Sequence, residues 1–111
     1  MVNSITLKNA SIIDGTGKAP YPGHVEIQEG KINSVCSDEK DLKSKNSASI
    51  DLKGKTLMPG LIDAHCHISF DEPKSNDELF FHRREGLAAI IAGTNALKVL
   101  QSGVTSFFDA D

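Results

Sequence analysis

The order of elements in the second half of the chain constrains its fold most. A short apolar run, "LIDAHCHI" (61–68), precedes a long helical stretch, and a second short run, "VTSFFDAD", closes it. The first run has the compact apolar character of a strand buried on both faces. Between the runs, Phe80, Phe81, Leu87, Ile90, Ile91, Leu97 and Leu100 form the apolar side of a helix, which predicts packing into a core. Ser75 followed by Glu78 predicts a capping box, and Gly103 stands where a C-terminal cap belongs. Gly86 and Gly93 weaken the helix interior, and a break or kink is expected near Gly86. Strand, helix and strand in this order form a βαβ unit, which requires two parallel strands.

The first half reads differently, as short strands and turns. Ile5 and Leu7 alternate with polar residues, and "DGTGKAPYPG" then interrupts the pattern. Val25 and Ile27 alternate, Glu29-Gly30 makes a turn, and Ile32 and Val35 follow, which is a hairpin pattern. The polar stretch 37–47 reads as a solvated loop. Alternation resumes through Ala48, Ile50 and Leu52 and turns at Lys53-Gly54. The expected class is therefore α/β: a small β-rich part at residues 1–57, then a parallel α/β part at 58–111.

A length of 111 residues suits one modest domain or a piece of a larger one. The net charge of −3 offers no basic stripe for nucleic acid, so no nucleic-acid partner is expected. The start has no signal-peptide pattern and no apolar run is long enough to span a bilayer, so no membrane partner is expected either. Two cysteines, Cys36 and Cys66, make no disulfide framework, and a cytoplasmic location follows as the expectation. "GTGK" (15–18) lacks the spacing of a phosphate loop and reads as a turn.

The chemistry concentrates in "LMPGLIDAHCHI" (57–68). Side chains alternate along a strand, so Asp63, His65 and His67 share one face while Ala64 and Cys66 share the other. Two imidazoles one residue apart on one face can converge on one ion, and neutral imidazole is a good zinc ligand at about 2.0–2.1 Å. They can equally be two ordinary polar strand residues. The context favours a ligand pair, because ligands of parallel α/β folds bind at the carboxyl ends of strands. Cys66, facing away, should be a buried and unreactive thiol.

The motif resembles the start of a metal-dependent amidohydrolase. It is preceded by "IIDGTG" and "VEIQEGKI" and followed by "LQSGVTSFFD", and it is most similar to the imidazolonepropionase and Xaa-Pro dipeptidase-like branch. The resemblance runs from the first strand to Asp109. It implies a (β/α)8 TIM barrel with one or two divalent ions, usually Zn2+, and a small β-sandwich built from both chain termini. Residues 1–57 would be the N-terminal share of the sandwich and 58–111 the first βαβ unit of the barrel. Leu61–Ile68 would be strand one, Asp77–Ser102 part of the first helical connection, and Val104–Asp109 strand two. His65 and His67 map onto the first two metal ligands.

The rest of the family's catalytic set, a carboxylated lysine, two more histidines and an aspartate base, has no counterpart here. Lys74, Lys98, His24 and His82 do not sit at strand ends and are not carried over. Phe108-Asp109 stands where relatives often have Arg-Asp, so the resemblance fixes no narrow substrate. It implies the N-terminal part of a hydrolase of C–N bonds (amide, cyclic amide or dipeptide) acting through metal-activated water. The partners implied are a small-molecule or dipeptide substrate and, for the full-length protein, a homo-oligomer. The isolated chain should be inactive. The alternative is a non-catalytic truncated chain that serves only in binding or assembly.

Overall fold

The computed structural model describes residues 4–43, 48–70 and 72–110, and the chain divides into two compact units, Met1–Pro59 and Gly60–Asp111. The end of the polar loop, 44–47, lies outside the described residues.

In the first unit, β1 (Ser4–Ile12), β2 (Tyr21–Gln28), β3 (Lys31–Cys36) and β4 (Ala48–Asp51) form a mixed sheet in the order β3-β2-β1-β4. A short β5 (Thr56–Leu57) also pairs with β1. The β1–β2 and β2–β3 pairings are antiparallel, whereas β4 and β5 run parallel to β1. Glu29 and Gly30 both have positive φ (51° and 75°), the backbone of a two-residue hairpin turn that matches strand twist. The hairpin is therefore where the sequence places it.

Pairing connects Leu7 with Val25 and Ala10 with Gly23, so Lys8 and Asn9 together oppose His24 alone. This is a β-bulge, and Asn9 takes the left-handed conformation (φ 55°) that asparagine tolerates well. The Asn9 side chain donates to Asp51 Oδ1 at 2.9 Å, and the Asn9 backbone carbonyl accepts from Gly54 N–H at 2.7 Å. The turn between β4 and β5 is thereby fastened to the bulge. Ala10, Ile12 and Val25 are buried and form a small core with Leu7, Tyr21, Ile27, Leu52 and Leu57 packed against it. The other face of the sheet is polar but also covered. Thr6 and Glu26 pair across the strands and are almost fully buried. Glu26 accepts from Asn33 Nδ2, Ser34 Oγ and the Lys43 backbone N–H at 3.0–3.2 Å. A carboxylate so buried needs such donors. The loop after β3 is thus solvated only in part, since Lys43 N–H is spent on Glu26 and Leu42 is half-buried.

In the second unit, β6 (Leu61–Cys66) and β7 (Val104–Asp109) pair in parallel, with α1 (Glu85–Gln101) between them in sequence. The Glu78 N–H bonds Ser75 Oγ at 3.1 Å, while the Glu78 carboxylate reaches Lys74 N–H at 2.9 Å. The capping residues are those expected, with the return bond shifted by one residue. A single π-helical turn follows at Glu78–His82, then Arg83 and Arg84 are extended (ψ 129° and 130°) before α1 begins. The break therefore falls just ahead of Gly86, which occupies the first turn of α1. Gly103 (φ 95°) follows the last turn, and its N–H bonds the Leu100 carbonyl at 3.0 Å.

Two expectations are overturned: β6 is not buried on both faces, since Leu61 and Ile62 are 50% and 76% exposed, and the helix turns a different side inward. Leu87, Ile90, Leu97 and Leu100 are 51–71% exposed, so the large apolar side chains do not pack into a core. The less exposed stripe is instead Ala88, Ile91, Ala92, Asn95, Ala96 and Val99. The helix is apolar nearly all round, and its small residues make the closer side. The start of β6 is set by Gly60: a Cβ there would collide with the Thr105 side chain on β7. The Pro59-Gly60 lead thus has a steric reason. The architecture shown is α/β.

Candidate metal centre

His65 is the penultimate residue of β6, and His67 lies immediately beyond the strand, which ends at Cys66 rather than Ile68. Both histidines are exposed, and their Nε2 atoms stand 3.1 Å apart. The rings meet edge to face, with centroids 4.9 Å apart and planes at 73°. That approach serves either one N–H···N hydrogen bond or two nitrogens directed at one cation. With metal–nitrogen bonds of about 2.0–2.1 Å, such a separation subtends an angle of about 100°, within reach of tetrahedral coordination. The donor set fits a divalent metal but supplies only two ligands. Among the described residues no group of three or more His, Cys, Asp or Glu side chains is arranged to hold a metal ion.

The other candidates make contacts of their own. Asp63 is half-buried, and its Oδ1 accepts from the His65 backbone N–H at 3.1 Å, a local turn that supports the strand end. Cys66 is half-buried rather than buried, and its carbonyl accepts from Ala110 N–H at 2.9 Å. Asp109 pairs with Cys66 in the sheet and is exposed. His24 belongs to the first unit, buried, with Nδ1 accepting from the Asn9 N–H of the bulge at 3.2 Å. His82 pairs with Asp77 at 2.9 Å on the surface, and Lys98 lies within α1, donating to Asn95 Oδ1 at 3.3 Å.

What holds His67 comes from residues that sequence reasoning passed over. The His67 ring stacks on Phe70, centroids 4.6 Å apart and planes only 6° from parallel. Phe80 meets Phe70 edge-on at 6.2 Å, and the Arg83 guanidinium lies over the Phe70 ring at 5.5 Å. Arg83 also donates to the Ser69 carbonyl and, at 2.7 Å, to Ser69 Oγ. From α1, Asn95 Nδ2 donates to two carbonyls, Ile68 at 2.9 Å and Phe70 at 2.8 Å. A groove lined by His67, Phe70, Leu79, Phe80 and Arg83 opens beside the stack. The available signal was Asn95 itself, a poor helix former standing in the alanine-rich stripe of an otherwise apolar helix.

No protein-family model matches the chain. It is 34% identical over 100 residues to a dihydroorotase from Elusimicrobium minutum, covering 90% of this chain and 19% of that protein. It is 30% identical over 105 residues to an imidazolonepropionase from Fusobacterium nucleatum, covering 93% of this chain and 23% of that protein. Among solved structures, a prolidase complexed with N-methylphosphonate-L-proline superposes with a TM-score of 0.82 and 29% identity, over 96% of this chain and 26% of that one. The names of these relatives point to the metal-dependent amidohydrolase superfamily. It spans about a fifth to a quarter of the length of each of these three proteins. The superfamily generally uses a divalent metal.

Proposed function

We propose that the chain is the N-terminal part of a metal-dependent hydrolase of C–N bonds, with His65 and His67 as two of its metal ligands. The observation that carries this reading is the 3.1 Å approach of the two Nε2 atoms at the carboxyl end of a parallel strand. The names of the relatives, which include a dihydroorotase and a prolidase, support an amide, cyclic amide or dipeptide substrate. Residues 58–111 would then be the first βαβ unit of a TIM barrel and residues 1–57 the N-terminal share of a β-sandwich. A cytoplasmic enzyme, homo-oligomeric at full length, completes the reading. No helix among the described residues is long and apolar enough to cross a membrane.

The chain's own residues would act by holding and orienting. Both imidazoles must be unprotonated at Nε2 to bind a metal, so occupancy falls as the histidines protonate. His65 and His67 would hold a divalent ion such as zinc, which when bound would lower the pKa of its water toward about 7 and polarise a carbonyl. Asp63 anchors the His65 backbone, and the Phe70 face fixes the plane of the His67 ring. Two ligands alone should bind weakly, so the isolated chain should show no turnover. The test is paired. Zinc titration of the chain should give weak binding that His65→Ala and His67→Ala each abolish. The full-length protein should hydrolyse amides, cyclic amides or acyl-proline dipeptides and lose that activity on either substitution. Full activity in both variants would overturn the reading.

A further inference from the structure

We propose that Asn95 is a positioning residue for His67, acting through the main chain of the segment that follows it. The inference rests on the metal reading only where it concerns affinity; the geometric part stands alone.

His67 lies one residue past β6, and the last bond across from β7, Ala110 N–H to the Cys66 carbonyl at 2.9 Å, ends at the peptide that enters it. Three residues later the chain must bring Phe70 back beneath the imidazole for the two rings to stack at 4.6 Å. Asn95 donates one amide to the carbonyls on either side of Ser69, those of Ile68 and Phe70. A carboxamide nitrogen has two protons, so both bonds can be made at once. Bridging carbonyls two residues apart bends the segment into a tight arc. That arc carries the stacking ring under His67. Arg83 also binds Ser69 but lies in the extended break before α1, whereas Asn95 sits in the middle of a continuous helix. Asn95 is therefore the point at which α1 sets the His67 ring and, through it, the Nε2–Nε2 approach. Groups that orient a metal ligand commonly change affinity 10–100-fold when removed.

Asn95→Leu keeps the volume and removes both donors; Asn95→Gln keeps the donor amide. Helix content by circular dichroism checks that each variant of the 111-residue chain folds. The first readout is metal-free: the upfield ring-current displacement of the His67 ring protons by Phe70, measured by NMR beside those of His65. Asn95→Leu should abolish the displacement at His67 and spare His65, while Asn95→Gln should retain part of it. The second readout is zinc titration, where Asn95→Leu should weaken binding about 10-fold or more and Asn95→Gln less. An unmoved His67 signal in Asn95→Leu, or equal loss in both variants, would overturn the positioning role. A wild-type chain that binds no zinc but shows the His67 effect would retire the metal reading and leave the positioning role standing.

Discussion

The two units of this chain solve the problem of burial in opposite ways. In the first, a five-stranded mixed sheet buries Ala10, Ile12 and Val25 on one face and Thr6 and Glu26 on the other, with hydrogen bonds tying the loops down. In the second, α1 has no buried residue, and Ile62, Phe81 and Ile90 are 71–78% exposed. Two parallel strands and a helix bury little by themselves, because a parallel sheet is normally covered on both faces. The second unit carries the candidate chemistry and the first carries the stability. Binding sites and low local stability often go together, since a site must remain accessible.

The largest test of this contrast is a matched pair of truncations. Ile12, 4% exposed in the first core, should cost about 2–4 kcal/mol when changed to alanine. Ile90, 71% exposed on α1, should change stability by no more than about 0.5 kcal/mol. Urea unfolding of both variants, with hydrogen exchange read separately in β1–β2 and β6–β7, measures the difference. Equal losses at the two sites would show that the units do not differ as described.

A smaller effect probes a tight contact within the second unit. Gly60 has no room for a Cβ because the Thr105 side chain occupies the space. Gly60→Ala should therefore cost about 1–3 kcal/mol in the β6–β7 pairing, the usual price of overpacking. Removing the obstacle with Thr105→Gly should recover part of that loss, so the two changes should be non-additive. Additive losses in hydrogen-exchange protection of β6 would mean that the contact does not set the strand's start.

Legibility followed the same division. The hairpin at Glu29-Gly30, the cap residues Ser75 and Gly103, and the strand–helix–strand order could all be read because each rests on local backbone chemistry. The side of α1 that packs could not. Its apolar residues encircle the helix, so periodicity picked out the large side chains while the tertiary fold used the small ones. Glu26 escaped notice because an alternating strand shows which residues share a face but not whether both faces are covered. At the candidate site the histidine pair was evident from its spacing. The Asn95 bridge was not, since it joins residues 25 and 27 positions apart, and the Phe70 stack was not, since it depends on how the chain turns between His67 and Phe70.

The smallest expected effect is electrostatic and belongs to the first unit. Hydrogen bonds hold several of its carboxyls below their ordinary range. Asp51 is lowered chiefly by the Asn9 side chain and then by the Lys53 N–H, both at 2.9 Å. Asp14 is lowered chiefly by the Thr16 hydroxyl, Asp38 by Lys40, and Glu39 by Lys8. In each case the folded chain favours the ionised form more than the unfolded chain does. Their stabilisation is thus fully present above the unfolded values of 3.8 for aspartate and 4.5 for glutamate, and is lost as pH falls through the lower folded values. All four are solvent-exposed, so each contribution is small and is weakened further by salt. The urea midpoint of the first unit should hold steady from pH 7 to about 5 and then decline toward pH 3. Asp51 matters most, because its two bonds join the β1 bulge to the turn before β5. Asp51→Asn should lower the midpoint at pH 7 slightly and flatten the acid decline, so the variant and parent curves converge near pH 3. Curves that stay parallel down to pH 3 would show that Asp51 adds nothing through its charge.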